Sequence, residues 1–243
     1  MNTKRRAFTA VLCLMWLFPL FATAQWSGKP YTEWSEKEAL KLLHDSPWAQ
    51  TVIFSDLPDR TAAPNRDADS NRTIDVGGSR INRAAQINFR ICLLSAKPVR
   101  QAISRLIEIK QGGNINQELA AQLKSFAEED TSQQVIVTVL FDAPRPSTRF
   151  FNLRDLLDKF TTAELKNKAY LSVEGGSRLP LQEYLPPGET ELGARFVFPR
   201  FVEGKPLVTL ENREIRFHAE LGGYLLDESF KVRNMIYKNR LEY

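Results

Sequence analysis

The fold is decided by the stretch QINFRICLLSAKPVRQAISRLIEIK, residues 86–110, in which one hydrophobic spacing gives way to another. Apolar and polar residues alternate in the first half, which predicts a β-strand with one buried face. Its apolar residues are Ile87, Phe89, Ile91 and Leu93. In the second half, apolar residues recur every three or four positions, which predicts a helix. Its apolar residues are Val99, Ala102, Ile103, Leu106 and Ile107, with Pro98 in the first turn and Gly112-Gly113 after the end.

Two capping boxes predict further helices outside this stretch. Ser35 is followed by Glu38, and Thr161 by Glu164, so that each pair can satisfy N–H groups at a helix start. The first helix should end before Pro47, because a residue that precedes proline avoids the helical conformation. The remaining predicted elements are a strand at 48–57, a helix capped by Asn114 and Gln117, a buried strand at 133–142 and a helix at 151–160.

Strand patterns predominate from residue 169 onward, where Gly, Pro and Asn separate short apolar runs. The predicted strands are AYLSV (169–173), ARFVF (194–198), PLVTL (206–210), EIRFHAEL (214–221) and FKVRNMIY (230–237). Helices therefore cluster before a strand-rich end, which predicts an α+β fold. It has a short N-terminal helix, mixed central strands with several helices, and a β-rich C-terminal region.

The first 24 residues, MNTKRRAFTAVLCLMWLFPLFATA, have the three parts of a secretory signal peptide. A basic start is followed by an apolar run and then by the Ala-Thr-Ala pattern that signal peptidases recognise. The apolar run is shorter than the roughly 20 residues that a membrane helix needs. We expect cleavage after Ala24 and no transmembrane helix in the remaining chain; an uncleaved anchor is the alternative. The expected location is periplasmic or extracellular.

Charge and cysteine content argue against a nucleic-acid-binding protein and against a fold held by internal disulfides. Three of the 33 basic residues and none of the 29 acidic residues lie in the signal peptide, so the mature chain has a net charge of only +1. Such a balance is not typical of nucleic-acid-binding proteins, and we expect no nucleic-acid partner. Cys92 is the one cysteine left after cleavage, so no internal disulfide can form and a hydrophobic core must hold the fold.

After the signal peptide at 1–24, we predict an N-terminal helix-strand segment at 25–57, a flexible polar loop at 58–80 and a main α+β domain at 81–243. The loop has too few apolar residues to offset the entropy of ordering it.

Within this loop, Asp67, Asp69 and Asn71 have the spacing of a calcium-binding loop. However, Arg72 replaces the turn glycine, and Gly78 replaces the closing acid. A solvated acidic loop is therefore favoured over weak calcium binding, and we expect no metal and no cofactor.

Catalytic candidates in the mature chain are few. Its only cysteine and histidines are Cys92, His44 and His218, and they have no close metal-ligand spacing. A hydrolase that combines Cys92 and His218 with scattered carboxylates is one hypothesis. The alternatives are a buried strand thiol, an exposed strand histidine and a His44 that stabilises a helix end through the helix dipole. The acidic triplet at 128–130 has the surroundings of a solvated surface, and no catalytic residue is assigned.

Residues 80–110 contain seven basic residues and one acid, Glu108. This cluster could face an anionic partner or membrane headgroups. Alternatively, it could pair with the acidic loop or with the carboxylates of Glu118, Glu128 and Glu129.

Three tryptophans, Trp26, Trp34 and Trp48, lie within or beside the stretch WSEKEALKLLHDSPWAQ at 34–50. Indole rings are large and apolar, so they should be covered either by the core or by a partner. We favour a helix docked onto the core. The alternative is a partner surface built from these three residues, with an envelope protein as its partner.

Three segments resemble an uncharacterised family of exported bacterial proteins of the acidobacterial type, near the GWxTD-type proteins. They are YTEWSEKEALKLLHDSPWA (31–49), LSAKPVRQAI (94–103) and FKVRNMIYKNRLEY (230–243). The chain contains no G-W-x-T-D string. The resemblance implies export and a shared architecture; the family has no known activity to carry over. We expect an exported, non-enzymatic interaction or accessory module of the cell envelope. A hydrolase or a weak calcium-binding protein is the alternative.

The predicted cleavage can be tested by intact-mass measurement of the exported protein. The Ala-Thr-Ala pattern before Gln25 should direct cleavage after Ala24, so the measured mass should correspond to residues 25–243. An Ala24→Leu variant should be processed poorly, because the peptidase accepts only small residues at this position. A mature mass that retains residues 1–24 would contradict the prediction.

Overall fold

The computed structural model describes residue 26 and residues 28–55, 86–145, 153–174, 178–188 and 192–243. The described residues form five α-helices and thirteen strands in antiparallel sheets, with most strands toward the C-terminus. The predicted α+β class is confirmed. The predicted signal peptide, its cleavage site and the loop at 58–80 with its calcium candidates lie outside the described residues.

The helices are α1 (Glu36–His44), α2 (Lys97–Lys110), α3 (Gln117–Glu128), α4 (Leu153–Lys159) and α5 (Thr162–Leu165), with 3₁₀ turns at Tyr31–Glu33 and Val232–Asn234. The strands are β1 (Ala49–Ser55), β2 (Gln86–Leu93), β3 (Gln134–Arg145), β4 (Ala169–Val173), β5 (Leu179–Pro180), β6 (Glu183–Leu185), β7 (Ala194–Pro199), β8 (Phe201–Val202), β9 (Lys205–Pro206), β10 (Glu214–Leu221), β11 (Tyr224–Lys231), β12 (Ile236–Tyr237) and β13 (Arg240–Leu241).

Two sheets form the body of the fold. The first has five strands in the order β1-β2-β3-β7-β6, and the second has four in the order β11-β10-β4-β5. All their neighbouring strands are antiparallel. Two short ribbons, β8-β9 and β12-β13, complete the described strands. The predicted N-terminal helix-strand segment is part of the same core, because β1 pairs with β2 and the residues of α1 join the same buried cluster.

The alternation in β2 separates the two faces of the five-stranded sheet. Phe89 points toward the second sheet, where its ring centroid lies 5.2 Å from that of Tyr224. Phe196 of β7 lies on the same face, 5.3 Å from Phe217 of β10. Such aromatic contacts join the two sheets through a dry, closely packed core. The opposite face, which carries Cys92, lies under α1, since the Cys92 thiol donates to the carbonyl of Leu43.

A buried arginine fixes the position of α2 and α3. The Arg100 side chain donates to the carbonyl of Leu94 at 3.1 Å and to the carbonyl of Ser95 in the turn that joins β2 to α2. It also donates to the carbonyl of Glu129 at 2.8 Å and to the Thr131 hydroxyl at 3.3 Å, both in the connection from α3 to β3. Burial lowers the pKa of Arg100, but its hydrogen bonds satisfy most of the guanidinium. The two connections are thereby held together by one side chain.

The C-terminal segment is also attached to α2. The Glu242 carboxylate accepts a hydrogen bond from the Lys97 backbone N–H at 3.1 Å, in the first turn of α2. The Glu242 carbonyl accepts from the indole of Trp48 at 2.8 Å. Nearby, the Tyr237 hydroxyl donates to the Gln101 side chain at 2.7 Å. These contacts join residues that are distant in sequence at the start of α2.

Both predicted capping boxes are confirmed at Ser35 and Thr161. Three local predictions are wrong. Asn116, rather than Asn114 or Gln117, caps α3, because its side chain accepts from the Leu119 N–H at 2.8 Å. PLVTL is mostly irregular after β9, and FKVRNMIY leaves the sheet at a 3₁₀ turn. The edge strand β11 begins earlier than predicted, where pairing with β10 outweighs its irregular apolar pattern.

Replacement of Arg100 by methionine should destabilise the fold strongly. It would leave several buried acceptors without donors, which costs roughly 3–5 kcal/mol for a buried charged group of this kind. The matched control is Arg216→Gln, at an exposed arginine that forms ion pairs with Glu214 and Asp227 at 3.2 and 3.3 Å. Surface ion pairs contribute about 0–1 kcal/mol. Denaturant unfolding should therefore separate the two variants; equal stability losses would contradict the central role of Arg100.

Candidate functional site

A groove runs between α2, α3 and the helix-covered face of the five-stranded sheet. It consists of an outer cavity of about 370 Å³ and an inner cavity of about 240 Å³. Both are lined by Ile103, Ile107, Lys110 and Leu192, so the two cavities adjoin. We call the pair the α2–α3 groove. Its combined size falls in the range of small-ligand pockets.

The sequence builds this groove because α2 carries more apolar side chains than the core uses. Val99, Ala102 and Leu106 are buried, whereas Ile103 and Ile107, four residues apart, are only half-buried and face the groove. From α3, the outer cavity is lined by Leu119, Gln122, Leu123 and Phe126. The Ser104 hydroxyl donates to the Leu123 carbonyl at 3.0 Å and holds the two helices side by side.

Leu192 lies beside the groove, just before β7. The Thr138 hydroxyl on β3 donates to the Leu192 carbonyl, and the next residue, Gly193, lies very close to the backbone of β3. A Cβ atom on Gly193 would lie 2.5 Å from the Val139 carbonyl oxygen, and its φ is +73°. Only glycine fits this position, because both the close approach and the backbone angle exclude a side chain.

The inner cavity contains the charged end of the groove. It is lined by Arg90 and Thr138, with Leu43 and Leu140 beside them and Cys92 at the sheet. Across both cavities, the described lining residues include two cations, Arg90 and Lys110, and no carboxylate. The groove therefore combines a mostly aliphatic wall with Arg90 in its inner cavity and Lys110 beside both cavities.

Arg90 has only partial compensation for its charge. Its Nη1 lies 3.0 Å from Nε2 of His44, and its Nε lies 4.0 Å from the Asp142 carboxylate. The Nε atom is buried and has no hydrogen-bond partner. Burial, and then the positive charge of Arg90, lower the pKa of His44. A neutral His44 ring accepts at Nε2 and carries its proton on Nδ1.

Cys92 is not arranged as a nucleophile. Its side chain is buried, and desolvation raises the pKa of its thiol to about 12. The thiol donates to the Leu43 carbonyl at 3.4 Å, and Nε2 of His44 lies 3.0 Å from Nη1 of Arg90. Cysteine catalysis requires a thiolate activated by a neighbouring base. Neither condition is met at Cys92.

His218 lies on the opposite side of the protein, on the outer face of the four-stranded sheet. Its ring stacks on Tyr170 at 4.5 Å, and each of its nitrogens lies 3.8 Å from a carboxylate, Glu220 or Asp227. Because Cys92 lies on the helix-covered face of the other sheet, both sheets separate these two residues. The dyad of the hydrolase hypothesis is therefore not formed.

The structure also bears on the expected absence of a metal site and on the basic cluster at 80–110. Within the described ranges, no group of three or more His, Cys, Asp or Glu side chains is placed to hold a metal ion. In the basic cluster, Lys97 forms an ion pair with Glu128, and Arg105 forms one with Glu108 at 3.2 Å. Part of the cluster is thus paired internally, as one of the two hypotheses predicts. In the part of the chain that the structure describes, no helix is long and apolar enough to cross a membrane.

Two of the three tryptophans that the sequence offers as a partner surface are buried in the fold. Trp34 is completely buried, and Trp48 is 2% exposed, with its indole donating to the Glu242 carbonyl of the C-terminal segment. Trp26 is half-buried, and its indole donates to the Glu38 carbonyl at 3.2 Å. Two of the three rings therefore belong to the core, where they attach α1 and the start of β1.

Sequence reasoning missed the α2–α3 groove. In the sequence, Ile103 and Ile107 are only part of the apolar spacing that predicts a helix, and Leu192 belongs to no pattern. The available signal was the width of the apolar stripe on α2, which exceeds what one packed face requires.

Comparisons with known proteins add little to this geometry. No family model matches the chain, and no curated protein matches it. Among solved structures, the chain is similar to a novel protein of unknown function from Burkholderia pseudomallei. The similarity has a TM-score of 0.40 and 9% identity, over 58% of this chain and 72% of that chain. A similarity at this level supports no inference about the fold or the function of this chain.

The thiol of Cys92 should be nearly unreactive in the folded protein. With the pKa raised to about 12 by burial, only about one thiol in ten thousand is ionised at pH 8. Alkylation by iodoacetamide at pH 8, followed by mass spectrometry, should be slow in buffer and fast in denaturant. Rapid alkylation of the native protein would contradict this prediction and would reopen the hydrolase hypothesis.

Proposed function

We propose that the protein is an exported, non-enzymatic accessory module of the cell envelope that holds an apolar ligand in the α2–α3 groove. The supporting observation is the wall of this groove. Two adjacent helices place half-buried aliphatic side chains along the wall of a cavity, although Ile103 also packs against the core. Contiguous apolar surface of this kind is a feature of ligand-binding sites, because it is unfavourable to leave it in water.

The absence of an activated nucleophile favours binding over catalysis. Among the described residues, the Cys92 thiol is buried and protonated, and His218 lies beyond both sheets. A binding module needs a pocket and a charge of the right sign, and the α2–α3 groove supplies both. These observations support the binding function ahead of a scattered hydrolase site.

The cellular part of the proposal rests on sequence. The signal-peptide pattern at 1–24 supports export, and the three segments that resemble exported bacterial proteins support a role in the envelope. An envelope protein that receives the ligand or the loaded module is part of this proposal. The buried tryptophans are not offered as its contact surface.

The proposed function can be tested with the neutral apolar dye N-phenyl-1-naphthylamine, whose emission rises and shifts to the blue in a dry pocket. The protein should bind about one dye molecule with micromolar affinity. Ile107→Gln should weaken binding by about tenfold, because it removes apolar contact from both cavities. The matched control is Ile53→Gln, at a residue that is 62% exposed on β1 and outside the groove.

Two results would contradict the proposal. Absence of dye binding would remove the groove as an apolar site. Equal loss of binding in Ile107→Gln and Ile53→Gln would place the dye elsewhere.

A further inference from the structure

We infer that the ligand of the α2–α3 groove is a single-chain amphiphile with a carboxylate head group, such as a free long-chain fatty acid. The hydrocarbon tail would lie in the outer cavity and the carboxylate beside Arg90 in the inner cavity. This inference rests on the proposed binding function and adds the chemical class of the ligand.

Charge complementarity is the first argument. The described lining of the inner cavity contains the cation Arg90 and no carboxylate, and the nearest carboxylate to Arg90, on Asp142, lies 4.0 Å away. Arg195, the strand partner of Thr138 in β7, points to the same face and also has a buried Nε without a hydrogen-bond partner. An anionic ligand would complement this end of the groove, whereas a cationic one would be repelled.

The geometry of Arg90 is the second argument. Its nearest carboxylate, on Asp142, is 4.0 Å from Nε, which is too far for a hydrogen bond, and its other partner is the His44 ring. The buried Nε is therefore a donor that a ligand oxygen could satisfy. A carboxylate matches this need, because its two oxygens can accept from a guanidinium through charge-assisted hydrogen bonds.

The lining of the outer cavity is the third argument. Ile103, Ile107, Leu119, Leu123 and Phe126 provide most of its wall. A peptide occupant would bring an N–H and a C=O group with every residue, and an aliphatic wall cannot satisfy them. A hydrocarbon tail has no such groups and gains free energy in proportion to its buried apolar area.

The free amphiphile is favoured over a membrane as its source. The head-group site lies in the inner cavity, where Cys92 and Thr138 are buried beneath the helices. A lipid that remained in a bilayer could not bring its head group there while its tail stayed among its neighbours. The groove therefore fits one extracted chain rather than a membrane surface.

The test is isothermal titration calorimetry at pH 8 with laurate and with dodecanol, each below its aggregation limit. The two probes share one tail and differ in the head group. We expect laurate to bind at least about tenfold more tightly than dodecanol, because a hydrogen bond to a charged group contributes this much. Arg90→Gln should remove that difference and leave dodecanol binding unchanged. The control Arg216→Gln, on the distant outer sheet face, should preserve it.

A second pair of variants covers the case in which Arg90→Gln does not fold. Arg90→Lys, which keeps the positive charge but loses the paired donors of a guanidinium, should reduce the preference for laurate. Lys124→Gln, at an exposed residue of α3 outside the groove, should not.

The outcomes distinguish this inference from the proposed function. Equal affinities for laurate and dodecanol would overturn the carboxylate inference but leave the apolar site intact. Failure of laurate, dodecanol and the naphthylamine dye to bind would overturn both. Binding to phosphatidylglycerol vesicles that requires Arg90, without binding of monomeric laurate, would show that the anion is a membrane headgroup and would overturn the free-amphiphile inference.

Discussion

The buried guanidinium of Arg100 is the interaction on which the arrangement of the helices depends. It binds backbone carbonyls on both sides of the helical hairpin, at the start of α2 and at the end of α3. A side chain that satisfies two connections at once sets both their separation and their direction. The cost of burying its charge is offset only while all these acceptors remain in place, so the hairpin has one well-defined closed end.

The groove is a consequence of that closed end. Toward the C-terminus of α2 and the N-terminus of α3, the helices are no longer drawn together by Arg100, and Ile103 and Ile107 border a cavity. Below them, the sheet contributes Arg90 from one strand and Thr138 from the next. The groove thus has a scaffold held by polar contacts and a wall whose apolar side chains are only partly buried.

The polar groups around the groove differ in the partners that the fold provides for them. Arg100 and Arg90 lie ten residues apart, and each has a buried Nε without a hydrogen-bond partner. The other nitrogens of Arg100 donate to backbone carbonyls, whereas Arg90 has only the His44 ring at 3.0 Å and the Asp142 carboxylate at 4.0 Å. Both belong to the basic cluster that the sequence displays as one feature. Their different surroundings arise because Arg100 is in the first turns of a helix, next to two chain turns, while Arg90 projects from a strand into the space under α1 and α2.

The sequence by itself determined the α+β class, the alternation of β2, the helix that follows it and the capping boxes at Ser35 and Thr161. These features depend on residues within a few positions of one another, so local periodicity and capping are sufficient to predict them. Only the tertiary structure decided that Trp34 and Trp48 are buried, that Cys92 and His218 lie on opposite sides of two sheets, and that Ile103 and Ile107 border a groove. The physical reason is that burial and proximity depend on which distant elements cover a face. The sequence of a single strand or helix shows how wide its apolar side is, but not which elements pack against that side.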